Sequence, residues 1–178
     1  MSDSNFSRAD DMTPGWSAFG GQTKSAYDPT SFDKSPKQPG LASLCGGSSS
    51  GSAVGISAGF APLALGTETG GSNVYPASKA GLYGIRPTLR TISSDGVFRC
   101  TKSFDGVGAM ARAPLDLSHV IETILAPEAR AKLPVDAFAG SLMGSWEGLR
   151  VGIADSTWGG EEKAKWASSH ILGEYLRG

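Results

Sequence analysis

Apolar positions recur with a helical period over residues 116–125, where Leu117, Val120, Ile121 and Ile124 or Leu125 form one stripe. Pro114 and Asp116 suit the start of that helix. A second amphipathic helix is predicted over Glu161–Arg177, with Trp166, Ile171, Leu172 and Tyr175 on or near one face. The compact run Leu149–Ala154, between Gly148 and Asp155, reads as a strand before it. Leu63–Thr67 reads as a short buried strand entered after Pro62. Small residues at Ala53, Gly55, Ser57 and Ala58 predict a close-packing helix over Ser52–Gly59, capped by Ser50 or Ser52. Pro76–Ala80 is a helical turn with proline at its first position. Tyr83–Thr88 ends in an extended X-Pro step, and Thr91–Ser93 and Gly96–Phe98 are short strands beside a turn at Ser94–Gly96. Residues 1–45 read as loop, with Trp16 and Phe19 as anchors to a core that lies later in the chain. Strand-then-helix order places the chain in the α/β class.

Composition narrows the function. A length of 178 residues fits one domain, and 39% hydrophobic residues supply a core. A net charge of −1 gives no basic footprint for nucleic acid. Cys45 and Cys100 are too few for a disulfide framework, so both are expected as buried free thiols in a reducing, cytoplasmic compartment. The N-terminus shows no secretory signal, and the apolar-leaning stretch Val54–Leu65 is too short and glycine-rich to span a membrane. His119 and His170 lack a metal-ligand partner at useful spacing and are expected as surface or satisfied histidines; no metal or organic cofactor is implied. Asp105 and Arg112 are expected to form a structural ion pair.

The chemistry concentrates in two glycine–serine loops. Ser48 sits in Gly46-Gly47-Ser48-Ser49-Ser50-Gly51-Ser52, and Ser72 closes Gly66-Thr67-Glu68-Thr69-Gly70-Gly71-Ser72. Each serine follows two glycines, which lack a Cβ and let backbone approach a ligand. The N–H groups of Thr69, Gly70 and Gly71 form a candidate nest for a carbonyl oxygen that becomes negative. A hydroxyl both donates and accepts, so Ser48 can relay a proton from Ser72 to a base. A phosphate cradle fits poorly, because Gly46–Ser52 has neither a Gly-Lys-Ser/Thr ending nor a Gly-x-Gly-x-x-Gly pattern.

These two loops, followed by Pro76-Ala77, Gly84-Ile85-Arg86-Pro87-Thr88 and Phe104–Arg112, resemble the amidase signature family. Pro14–Thr23 resembles the stretch before the first loop in its fungal-type members. The resemblance covers residues 13 to about 155 and implies a mixed sheet flanked by helices, here as a truncated core. Residues 1–178 would be a partial domain, with the signature core at about 40–125 and a leading loop segment at 1–39. The family cleaves carboxamide C–N bonds with a Ser–Ser–Lys triad. The resemblance implies Ser72 as nucleophile, Ser48 as bridging serine held by a cis peptide bond, and Thr69, Gly70 and Gly71 in the oxyanion hole. A small-molecule amide is the implied substrate.

The sequence departs from the family pattern in places. The triad lysine lies upstream of the bridging serine, but the 47 residues before Ser48 offer Lys24, Lys34 and Lys37 without the family's lysine motif. Ala109 replaces the usual proline, a change expected to loosen a turn, and Glu68 stands where many members carry aspartate. Without its lysine the chain alone is expected to be inactive or weakly active. The alternative is a degenerate, non-catalytic relative that binds amides or another protein. Unpartnered sheet edges and apolar faces are expected to drive self-association.

Overall fold

The arrangement rests on one strand that is buried on both faces. The computed structural model describes residues 15–29, 45–145 and 148. The chain divides into two compact units, residues 1–142 and 143–178, and the elements below belong to the first. The predicted strand 149–154, the predicted helix 161–177, His170, Trp166, Lys34 and Lys37 lie outside the described residues.

Strand β5 (Gly106–Ala111) sits between β3 (Leu63–Glu68) and β4 (Tyr83–Ile85), antiparallel to both. Two earlier two-residue strands, β1 (Trp16–Ser17) and β2 (Gly21–Gln22), form a separate antiparallel ladder. Side chains alternate across a strand, so β5 serves two cores at once. Met110 faces helices α1 (Ser50–Ser57) and α2 (Val74–Lys79), in a cluster with Ala53, Ile56, Ala64, Ala77 and Ala80. Val107 and Ala109 join the other cluster, with Ile92 and with Val120 and Ile121 of α3 (Pro114–Ile124). A short helix α4 (Pro127–Arg130) and a 3₁₀ turn (Ala139–Ser141) follow. Helices thus flank the sheet, as the α/β class requires.

Gly66 of β3 is in register with Gly108 of β5. Their missing side chains leave a recess that the Asn73 amide fills. A Cβ on Gly66 would lie 2.3 Å from Asn73 Oδ1, and one on Gly108 would lie 2.7 Å from Asn73 Nδ2 and 2.4 Å from the Ile85 carbonyl. Asn73 Nδ2 donates to the carbonyls of Ile85 (3.0 Å) and Ala109 (3.3 Å), which ties α2 to two strands.

Several expectations change on contact with this packing. Helix α1 begins at Ser50, and its serine hydroxyls donate inward to carbonyls instead of capping: Ser50 Oγ to Gly46 (2.9 Å) and Ser52 Oγ to Leu65 (2.7 Å). Pro76 is the third residue of α2, not the first. Strand β3 is only half buried: Ala64, Gly66 and Glu68 turn inward while Leu63 and Leu65 are exposed. Thr91–Ser93 yields one bridge, Ile92 to Leu125, and Gly96–Phe98 is not a strand. Ala109 lies within β5, fully buried, and not in a turn. Phe19 is fully exposed, so it anchors nothing; the leading segment is held by Tyr27 Oη on the Ala80 carbonyl (2.8 Å) and Cys45 Sγ on the Thr23 carbonyl (3.1 Å). Cys45 is buried as expected, but Cys100 is exposed.

The Asp105–Arg112 pair does not form. The two residues flank opposite ends of β5, about 20 Å apart along an extended strand. Arg112 instead donates to the Ile56 carbonyl at the end of α1.

The recess predicts contrasting glycine substitutions. Gly108→Ala should lower stability by about 3 kcal/mol, because the added methyl meets backbone and a locked side chain. Gly55→Ala in α1 meets nothing within 4 Å and should raise stability by about 0.5–1 kcal/mol. Urea midpoints of the two variants check the pair; equal shifts would contradict the recess.

Candidate active site

The loop Thr69–Ser72 connects the end of β3 to the start of α2, and a carboxylate closes it from beneath. Glu68 is buried at the last position of β3. Its Oε2 accepts from the amides of Asn73 and Val74, both at 2.9 Å. Its Oε1 accepts from Arg86 Nε at 3.2 Å. Burial pushes the Glu68 carboxyl up, but the amides of Val74, Asn73 and Gly71, with Arg86, outweigh it and hold the group below the ordinary range. Gly71 takes φ +93°, a conformation open to glycine, which lets the chain turn back toward Glu68 before Ser72.

The first serine loop docks against the second through backbone. The Ser49 amide donates to the Ser72 carbonyl at 3.0 Å. Ser49 Oγ accepts from the Thr67 amide and donates to the Thr67 carbonyl, both at 3.2 Å. The Gly47–Ser48 peptide bond is cis. The hydroxyls of Ser49, Ser50 and Ser52 are therefore spent on buried backbone. Ser48 and Ser72 both line a single cavity of about 160 Å³, together with Thr67, Thr69, Arg99 and Asp105. The structure thus brings together three of the sequence-derived residues, Ser48, Ser72 and Thr69, in one wall. Gly70 and Gly71 lie between Thr69 and Ser72 in the same turn.

The far wall comes from residues 94–105. Asp105 anchors it: Oδ1 accepts from Thr69 Oγ1 (2.6 Å), and Oδ2 accepts from the amides of Cys100 (2.5 Å) and Thr101 (2.8 Å). Partial burial raises the Asp105 carboxyl, but the Thr69 hydroxyl, these amides and the Arg99 charge hold it below its usual value. Sequence reasoning missed Glu68, Asn73 and Asp105 as organisers, although an acid inside a glycine loop was a usable signal. No described lysine lines the cavity. Among the described residues no His, Cys, Asp and Glu side chains gather in threes to hold a metal, and no helix is long and apolar enough to cross a membrane.

A three-layer arrangement with two docked glycine–serine loops defines an amidase-type scaffold. The family model described as Amidase matches residues 17–171, and the chain belongs to that family. It is 38% identical over 136 residues to a glutamyl-tRNA(Gln) amidotransferase subunit from Deinococcus radiodurans, covering 75% of this chain and 28% of that protein. The corresponding protein of Thermus thermophilus is 38% identical over 132 residues, covering 72% and 27%. Among solved structures, the native peptide amidase from Stenotrophomonas maltophilia superposes with a TM-score of 0.57 at 37% identity, over 70% of this chain and 24% of that one. An amidase family protein from Bacillus anthracis gives 0.57 at 36% identity, over 65% and 21%. The chain spans about 28% of the length of the Deinococcus relative.

Glu68 gives the site an acid-sensitive foundation. Its folded pKa lies below the unfolded value of about 4.3, so its stabilisation is present above that value and is lost as pH falls through the folded pKa. Glu68→Gln should cost about 2–3 kcal/mol near pH 7. The gap to the parent should narrow as pH falls from 5 to 3. Thermal melts across that range check it; a gap independent of pH would show that the charge is not what closes the loop.

Proposed function

We propose that the Ser48–Ser72 cavity is an amide-hydrolysing site of the Ser–Ser–Lys type. The observation that carries this reading is that Ser48 and Ser72 line one cavity, where the Ser49 amide joins the first serine loop to the Ser72 carbonyl. Ser72 Oγ attacks the amide carbon. Its proton passes to Ser48, whose own proton moves to a base. The amides of Thr69, Gly70 and Gly71 stabilise the developing oxyanion. The leaving amine departs with a proton, and water then cleaves the acyl-enzyme. No metal or organic cofactor enters these steps. Residues 40–125 serve as the signature core.

The base is the open member. No described lysine lines the cavity, so we assign this polypeptide alone little or no turnover. That same observation favours a second reading, a non-catalytic relative that retains amide binding. Two free thiols support a reducing, cytoplasmic setting.

A fluorophosphonate probe with intact-mass readout separates these readings. The expected result is a slow single adduct, absent in Ser72→Ala and at least tenfold slower in Ser48→Ala. A folded protein that takes no adduct supports the non-catalytic relative.

The edge strand β3 supports the expected self-association. Leu63 and Leu65 are 36% and 46% exposed on a strand that has one partner among the described residues. The isolated chain should sediment as a dimer or larger species, and Leu65→Lys should shift it toward monomer. Monomeric parent protein at high concentration would rule this out.

A further inference from the structure

A second cavity, of about 220 Å³, adjoins the serine cavity and shares Ser94, Arg99, Asp105, Gly106 and Val107 with it. Its walls carry Arg90, Arg99 and Lys102 against one carboxylate, Asp105. That local excess of two positive charges stands in a chain whose net charge is −1. The Asp105 carboxylate does not neutralise the three cations evenly. Both its oxygens are already taken, by the Thr69 hydroxyl and by the amides of Cys100 and Thr101. Of the cations, Arg99 donates to Ser94 Oγ and interacts with Asp105. Arg90 and Lys102 have neither a hydrogen-bond nor an ion-pair partner among the described residues. Arg90 also holds φ +68°, a left-handed backbone that arginine rarely adopts and that fixes where its side chain leaves the chain. The hydroxyls of Thr88 and Thr101 add donors to the same walls.

We propose that this cavity is an anion subsite, and that the substrate is an amide carrying a carboxylate or similar anionic group on the same molecule. The amide enters the Ser48–Ser72 cavity while the anion lies between Arg90, Arg99 and Lys102. The inference rests on the amide reading of the serine cavity, and it adds the charge of the substrate to that reading. Charge selects here by attraction at a partly exposed site, so the preference is salt-dependent and of modest size.

Direct binding tests it without requiring turnover. The purified chain is titrated calorimetrically, at low and at physiological salt, with succinamate, glutaramate and adipamate, and with the matching neutral diamides. At least one monoamide should bind about tenfold more tightly than its diamide at low salt, the preference two or three partly exposed ion pairs supply together. The preference should shrink at higher salt and fall to about twofold or less in Arg90→Gln/Lys102→Gln, whose thermal melt should match the parent because both side chains are exposed. Equal binding of monoamides and diamides, binding of neither, or a preference untouched by the double substitution would overturn the subsite. The two readings fail separately. A Ser72 adduct with no charge preference removes the anion subsite alone, and a charge preference with no adduct removes hydrolysis alone.

Discussion

The side-chain amide of Asn73 occupies space that two β-carbons would otherwise fill, and the position of the serine loops follows from it. Nδ2 bonds to carbonyls of β4 and β5, so the residue after Ser72 is fixed to the sheet itself. Oδ1 is buried without a conventional partner. It faces Gly66, where a Cβ would stand 2.3 Å away, so only a glycine at that position leaves room for it. The Asn73 amide nitrogen meanwhile donates to Glu68. One residue thus joins the sheet, the carboxylate beneath the loop and the start of α2. Ser72 inherits its place from that junction, and Ser49 then docks the first loop onto the Ser72 carbonyl.

Charge is distributed in layers around this junction. Glu68 and Arg86 form a pair under the loop, with side chains 8% and 30% exposed. A buried carboxylate surrounded by amides is a structural anion, and its own field is largely satisfied before it reaches the cavity. Asp105 behaves alike on the opposite wall, where it folds residues 100–105 around itself. The acids are therefore consumed by architecture. The basic side chains Arg90 and Lys102 are left to face solvent and the adjoining cavity.

Parts of this were legible in the sequence and parts were not. The stripe Leu117, Val120, Ile121 and Ile124 announced α3, because a helix with one buried face must repeat near every 3.6 residues. The glycine–serine loops were legible because few other structures need that composition. Strand β5 was not: Gly106–Ala111 is buried on both faces, so it shows no polar alternation and carries none of the large β-branched residues beyond Val107. Asn73 was opaque for a different reason. Its role depends on the register Gly66 to Gly108, a pairing across more than forty residues of sequence that no local pattern encodes. The expected strands at 91–98 failed because that region has a single ladder contact and turns on local bonds instead, from the Val97 amide to the Ser94 carbonyl and from the Asp95 amide to Ser93 Oγ.

The two walls of the serine cavity are attached to the protein in different ways. The floor is held by strand register, by Asn73 and by amide bonds to Glu68. The rim at 94–105 reaches the serine loop through a side-chain contact from Asp105 to Thr69. Residues 98, 99, 100 and 102 are exposed and can change without disturbing a core cluster. Over evolutionary time such a rim is free to diversify while the floor stays constant. The same scaffold can then acquire new ligand preferences by drift in one short segment, with no renegotiation of the fold.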